Sequence, residues 1–429
     1  MDIFIEGFLV ACLIVCVMSN GLVWHRHVLP NGLRVLHLPK PSANTAQLAV
    51  AVEYGSNSEA KEAVGSAHFL EHMLAGGSEG RIQLSRSIES YGGVLNFYTD
   101  REYTLSFVDV LPESLPRAAQ ILSHLLFDSN FEEEKFVSER KIILNELAEV
   151  ADDPTEQIDE LMLKNLFKKH PIRRPIGGYP KTLNKLTLSQ LSEILNVHYQ
   201  PQSMILMLIG NLQNSEVQGV LQQFNDKLPQ KPPLKMVHLQ ETSKPSVEVS
   251  KNKRGLTQTY LTIGVRTVNS RHAHAPVLDL ISMIVGGGTS SRLFIELREK
   301  AALTYDVIPT HSKGLDYGYF SISCAVKNSN VKKAKEIIFK EFQRLRNERV
   351  LEEELVRNKR MILSGILRGI DRPEECQDIL AFMEIQFNNE RALVDYLNKV
   401  KAVTAEDICS IAEIYLQEEN STTAILAPK

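Results

Sequence analysis

The chain has 429 residues, with 48 Lys and Arg against 52 Asp and Glu and a formal net charge of −4. So even a balance gives no sign of nucleic acid as the main partner, and a chain this long has room for a sizeable core in two or three domains. The five cysteines (Cys12, Cys16, Cys324, Cys376, Cys409) are odd in number, scattered and without zinc-ribbon spacing, which points to a reducing compartment.

Residues 1–22 form an apolar N-terminal segment, with Ile3 to Met18 the strongly apolar part. It hints at a signal or an anchor. Yet it contains Glu6, has no Lys or Arg ahead of the apolar stretch, lacks a clear small-x-small site and is short for a membrane span. A start placed too far upstream would give the same pattern. A cytoplasmic or organelle-matrix protein is expected, with export or membrane anchoring by this segment as the alternative.

The run Gly65-Ser66-Ala67-His68-Phe69-Leu70-Glu71-His72-Met73-Leu74 contains H-x-x-E-H. On a helix, positions four apart lie about 40° apart around the axis, so both imidazoles face one way. Glu71 lies about 60° round from His68, within reach of a water held between the imidazoles. Two neutral nitrogen ligands beside a carboxylate suit metal-assisted hydrolysis: the metal lowers the pKa of a bound water and the carboxylate takes its proton. The bland alternative is an amphipathic helix with surface or core histidines. A catalytic zinc also needs a third protein ligand and one open position.

The stretch Glu132 to Val150 has apolar residues on recurring turns and reads as a helix. Most of its acidic residues belong on a solvated face. Glu139 and Glu146 share a face and Glu149 lies one turn on, so periodicity leaves these three glutamates open as the third ligand.

HFLEH followed by ERKIILNE resembles the pitrilysin/insulinase family of zinc metallopeptidases, the inverzincins. The resemblance runs from about Val28 to the C-terminus and implies Glu146 as the third ligand, with Glu139 as a supporting carboxylate. It likens Tyr91 to Thr99 to an edge strand lining the active site, with Asn96 at the peptide-binding position. One departure follows the motif. Where the family has an aromatic and a lysine before Gly-Thr, this chain has Leu74-Ala75-Gly76-Gly77-Ser78, a change expected to touch substrate preference and not chemistry.

Prolines among lysines and polar residues mark a joint at 229–255, between a metal-bearing domain at 23–228 and a second at 256–429. The second half restates the first. Leu261 to Val265 answers Leu48 to Val52, and the helix leading into Gly286-Gly287 answers the one leading into Gly76-Gly77. In that register His68, Glu71 and His72 fall opposite Leu278, Ile281 and Ser282, so the repeat carries no metal ligands. Its glycine run Gly286 to Gly288 has no Walker lysine and no Rossmann spacing. Read alone, Arg298 is a helix-surface charge and Tyr305 a core residue. The resemblance instead implies that both enter the active site as donors to substrate and to a developing oxyanion.

The expected fold is α+β: two similar domains, each a mostly antiparallel sheet with helices packed on one face. The resemblance implies a zinc endopeptidase acting on peptides or unfolded segments, with one Zn²⁺ per chain held by His68, His72 and Glu146 and Glu71 as general base. As in the short family members and mitochondrial processing peptidase subunits, a dimer is expected, in which Arg298 and Tyr305 of one chain complete the site of the other. A homodimer is the economical form and a heterodimer with a paralogue the variant. The rival reading is a non-catalytic scaffold or partner subunit on the same fold.

Overall fold

The computed structural model describes residues 22–127, 130–225, 239, 241 and 246–429. The apolar segment up to residue 21, with Cys12 and Cys16, lies outside the described residues, as do 229–238, 240 and 242–245 of the expected joint. No helix among the described residues is long and apolar enough to cross a membrane.

The first half of the chain supplies β1 (His25–Val28), β2 (Arg34–Pro39), β3 (Ala46–Val52), α1 (Ser66–Gly76), α2 (Glu79–Glu89), β4 (Val94–Thr99), β5 (Thr104–Val110), α3 (Leu115–Phe127), α4 (Glu133–Asp152), α5 (Pro154–Leu166), α6 (Leu188–His198), β6 (Met204–Gly210) and α7 (Asn214–Asn225). The second half supplies β7 (Val247–Lys253), β8 (Thr259–Arg266), α8 (Ala275–Gly286), a π-helical stretch (Phe294–Lys300), β9 (Val307–Lys313), β10 (Gly318–Val326), α9 (Val331–Asn347), α10 (Glu352–Asp371), α11 (Pro373–Phe387), α12 (Ala392–Ala402), α13 (Ala405–Tyr415) and β11 (Ser421–Pro428).

The strands form two sheets, ordered β1-β2-β6-β3-β5-β4 and β7-β11-β8-β10-β9. Apart from the extra hairpin strand β1, the orders correspond place for place. The one parallel pairing in each, β2 with β6 and β7 with β11, also falls at the same place. All other pairings are antiparallel. The repeat read from the sequence is thus a repeat of topology, with β3 and β8 in matching positions.

β3 and β6 are buried at every position, so both faces of the first sheet's centre are covered, unlike a sheet with one wet face. Leu48, Val50, Val52, Leu206 and Leu208 pack with Leu70 and Leu74 of α1, Leu122 and Leu126 of α3, and Leu195 of α6. In the second sheet Leu261, Ile263 and Val265 pack with Leu278 and Ile281 of α8, Ile338 and Phe342 of α9, and Ile408 of α13.

The remaining faces explain why the chain divides as it does. One compact unit holds the residues up to Leu144 with Ile176–Met236 and Gly369–Asp395; the other holds Asn145–Pro175, Val237–Arg368 and Tyr396–Lys429. The division is therefore interleaved along the sequence, where the sequence reading placed one joint at 229–255. Helix α5 comes from the first half but packs on β8 and β11, with Ile158, Met162 and Leu166 against Ala424 and Leu426. Gly264 in β8 makes room for it: a Cβ there would lie 2.7 Å from the Met162 sulfur. Helix α11 comes from the second half but packs on β3 and β6. Its Glu384 accepts from Arg26 at 3.1 Å and its Asp378 from the Tyr103 hydroxyl at 3.0 Å. Each repeat has given one helix to the other's sheet. The division falls inside α4, which is one continuous helix.

Candidate metal centre

Helix α1 begins where two glycine backbones touch. Gly65 has φ +95°, and a Cβ on it would meet the Gly177 carbonyl at 2.8 Å; a Cβ on Gly178 would meet the Gly65 Cα at 2.6 Å. Buried Glu59 then caps the helix, accepting from the backbone N–H groups of Gly65 at 2.9 Å and Ala67 at 2.8 Å, where a carboxylate meets the positive end of the dipole. At the other end Arg81 donates to the Leu74 carbonyl at 2.8 Å. Both ends are satisfied, which fixes the rotation of the helix.

That rotation buries Ala67, Phe69, Leu70, Met73 and Leu74 and leaves His68, Glu71 and His72 half-buried on another face. Phe69 stacks on Phe136 of α4 with ring centroids 4.9 Å apart, which docks α4 alongside. Of the three candidate glutamates on α4, Glu146 is the one that joins the histidines: donor atoms of His68, His72 and Glu146 all lie within 4.8 Å of one another. Two imidazoles and one carboxylate at that spacing fit a zinc ion with a position left open. This is the only such cluster among the described residues. Glu139 lies 3.1 Å from Nδ1 of His72 through Oε2, the contact of a supporting carboxylate that orients the ring.

Glu71 accepts from the Thr99 hydroxyl at 2.7 Å. Thr99 ends β4, the edge strand of its sheet, and with Glu71, His72 and Glu139 the strand lines a cavity of about 500 Å³. Asn96 is exposed on this strand, its side chain accepting from the Phe97 N–H at 2.9 Å. Beneath α1, the Tyr54 hydroxyl meets that of Ser66 at 2.8 Å, and burial pushes its phenol pKa up. The His198 ring packs tilted against Tyr54, with centroids 4.1 Å apart, and burial pushes its pKa down to about 4, so it is neutral near pH 7.

In the second unit the Arg298 guanidinium lies 4.7 Å from the Phe294 ring and 4.4 Å from the Tyr305 ring. Tyr305 is 80% exposed, so it is not the core residue that its apolar surroundings in sequence imply. The two expected oxyanion donors form one pair, with Arg298 half-buried and Tyr305 exposed.

Sequence reasoning passed over Glu59, and named Thr99 only as the end of the edge strand and Gly76 only as part of a loop. Glu59 and Thr99 act through contacts that no local spacing signals. Gly76 marks the one departure from the family pattern, but a loop change reads as a matter of substrate. The structure instead sets Gly76 against Glu139, beside the metal ligands.

The insulinase (peptidase family M16) model matches residues 34–179, and the peptidase M16 inactive-domain model matches 185–362. A Mycobacterium leprae protein called an uncharacterized zinc protease is 28% identical over 94% of this chain and 91% of its own length. A solved Helicobacter pylori protease superposes with a TM-score of 0.88 at 20% identity, covering 94% of this chain and 99% of that one. A chain of complex III2 from Candida albicans superposes with a TM-score of 0.81 at 15% identity, covering 94% and 95%. At those identities the structural likeness speaks to the fold alone. The consecutive family matches, the end-to-end relative and the repeated two-domain fold lead to one conclusion: the chain belongs to the insulinase family of zinc proteases, peptidase family M16, in its short two-domain form.

Proposed function

We propose that this chain is a zinc-dependent endopeptidase that hydrolyses extended peptides or unfolded protein segments. The observation that carries the reading is the convergence of His68, His72 and Glu146, with Glu71 opening into the same cavity as an edge strand. One zinc ion per chain, held by those three residues, would supply Lewis acidity and a water of lowered pKa. Glu71 takes the proton from the attacking water and delivers it to the leaving amine. Its Oε2 accepts from the Thr99 hydroxyl, which orients the carboxylate. The peptide pairs along β4 near Asn96, so backbone bonds carry much of the affinity and sequence tolerance is broad. Arg298 and Tyr305 donate to the oxyanion. We place them in the site of a partner chain, in a homodimer or with a paralogue; the exposure of Tyr305 supports this. A reducing compartment, cytoplasm or organelle matrix, fits the buried free thiols of Cys324 and Cys376, pushed by burial up to about 12 and about 11.

The test is cleavage of a mixed pool of unstructured peptides by zinc-loaded wild type beside Glu71→Gln. Cleavage by wild type should fall by about 10²–10⁴-fold in the variant with zinc still bound. Equal cleavage by both would remove Glu71 from the mechanism. The second reading, a non-catalytic subunit, draws on the inactive-domain match and the complex III likeness. It predicts zinc-loaded wild type without cleavage. Mixing Glu71→Gln chains with Tyr305→Phe chains tests the shared site: restored activity is expected, and dimers that stay inactive would rule the sharing out.

A further inference from the structure

We infer that Phe294 is a positioning residue: its ring holds the Arg298 guanidinium in place and leaves the N–H groups of that guanidinium free for the substrate. The inference rests on the donor role proposed above for Arg298 and adds the residue that sets its position.

Phe294 and Arg298 lie four apart on the π-helical stretch, where the Ala301 N–H donates to the Glu296 carbonyl at 3.2 Å, five residues back. Leu293 and Leu297 anchor the stretch in the core of the second sheet, and Phe294 is itself buried. The Arg298 guanidinium stands over the Phe294 ring and over the Tyr305 ring. Among the described residues it makes no hydrogen bond and no ion pair. Of the two rings, that of Tyr305 is exposed and free to move, whereas that of Phe294 is packed. Phe294 is therefore the fixed side of the contact.

Arg292, six residues earlier, is held in another way. It donates to Glu354 at 2.9 and 2.7 Å and to Glu341 at 2.9 Å, so two carboxylates take its N–H groups and lock it into the fold. A ring has no lone pair to offer. It attracts the charge through its quadrupole and leaves the N–H groups without an acceptor. A donor for a developing oxyanion has to be placed in advance and still be uncommitted. A carboxylate partner gives placement without freedom, and open solvent gives freedom without placement. The Phe294 ring supplies both. Glu296, an acid on the same stretch, accepts from Lys300 at 2.7 Å and so does not compete for Arg298.

The experiment compares full-length wild type, Phe294→Leu, Arg298→Ala and the double variant. It measures kcat and KM of the zinc-loaded proteins on one peptide that wild type cleaves. It also measures, in the metal-free proteins, how fast phenylglyoxal modifies Arg298, read by peptide mass spectrometry with exposed Arg349 as the reference. Leucine keeps the position apolar and removes the ring. Phe294→Leu should lower kcat about 5- to 30-fold with KM unchanged, and Arg298 should be modified faster by a similar factor while Arg349 reacts as in wild type. The double variant should be no slower than Arg298→Ala, because a ring that acts through Arg298 has nothing left to hold. Lost packing at Phe294 lowers the thermal midpoint whatever its role, so the double variant and the labelling decide. Additive losses in kcat, unchanged labelling of Arg298, or wild-type kcat in Phe294→Leu beside a slow Arg298→Ala would each overturn the inference and leave Arg298 in the mechanism. Full activity in Arg298→Ala would remove that donor from the proposed function and this inference with it. So would a zinc-loaded wild type that cleaves nothing.

Discussion

The two repeats share a strand order and a helix that runs into a Gly-Gly pair, yet they use that helix in opposite ways. On α1 the polar residues His68, Glu71 and His72 remain half-buried, and Glu71 and His72 line a cavity of about 500 Å³. On α8 the matching positions Leu278, Ile281 and Ser282 are buried, and the acidic residue beside them, Asp279, is locked into a closed network. Its Oδ1 accepts from Lys313 at 2.5 Å and His311 Nδ1 at 2.7 Å, and its Oδ2 from the Tyr396 hydroxyl at 2.8 Å. Burial works against the carboxylate's charge, but Lys313 and His311 hold its pKa down at about 2. Burial pushes the pKa of His311 down, so it serves as a neutral donor through Nδ1 and accepts from Thr267 at 3.2 Å through Nε2. One scaffold thus carries an open polar set suited to binding and a closed one suited to holding the fold.

The largest effect expected from this contrast is at Asp279. Asp279→Ala leaves Lys313, His311 and Tyr396 as buried donors without their shared acceptor, which costs about 3–5 kcal/mol of stability. Zinc content should not change, because the network shares no residue with the metal cluster. A variant of wild-type stability in denaturant titration, or one that loses zinc, would break the contrast.

Thr99 tests the open side. Thr99→Val removes the hydroxyl that orients Glu71, a hydrogen bond to a charged group worth about 1.5–3 kcal/mol. The expected result is a kcat about 10- to 100-fold lower with KM and zinc affinity unchanged, and recovery in Thr99→Ser. A fall in zinc affinity in place of kcat would mean that Thr99 supports the fold of the site and not the base.

How much of this was legible in the sequence follows from the range of the contacts. The H-x-x-E-H spacing places its three residues on one helical face because helix geometry is local, and α1 contains all three. The repeat was legible because β3 and β8 carry the same apolar runs. Glu146 could not be separated from Glu139 and Glu149 by periodicity; the docking of α4 on α1 through Phe69 and Phe136 separates them in space. Farther contacts left no trace in the local pattern. The apolar face of α5 announces a buried helix but not which sheet buries it, so the exchange of α5 and α11 was invisible. So was the Asp279 network, whose members come from positions as far apart as 279 and 396.

The exchanged helices offer the smallest test. Each opens with a proline, Pro154 or Pro373, and carries an aspartate at the same place in its sequence, Asp159 or Asp378. Each is set near hydroxyls of the sheet it covers: Asp159 lies beside Thr262 and Ser323, which bond each other at 2.9 Å, and Tyr103 donates to Asp378 at 3.0 Å. Burial pushes each pKa up to about 6, aided at Asp159 by the nearby charge of Glu156. A carboxyl group whose folded pKa exceeds its unfolded value binds protons more tightly when folded. Its stabilising contribution is therefore complete below the unfolded value of 3.8 and is lost as pH rises through about 6. Two pKa units bound the loss at about 3 kcal/mol, and partial solvent exposure reduces it to about 1–2 kcal/mol. Asp159→Asn and Asp378→Asn keep an acceptor but remove the charge. Each should be more stable than wild type by about that amount at pH 8 and indistinguishable from it near pH 4. Matching responses from the two variants would show that the exchange preserved one carboxyl–hydroxyl juxtaposition in both sheets. A gain in only one would mean that the two helices, alike in sequence position, are held by different physics.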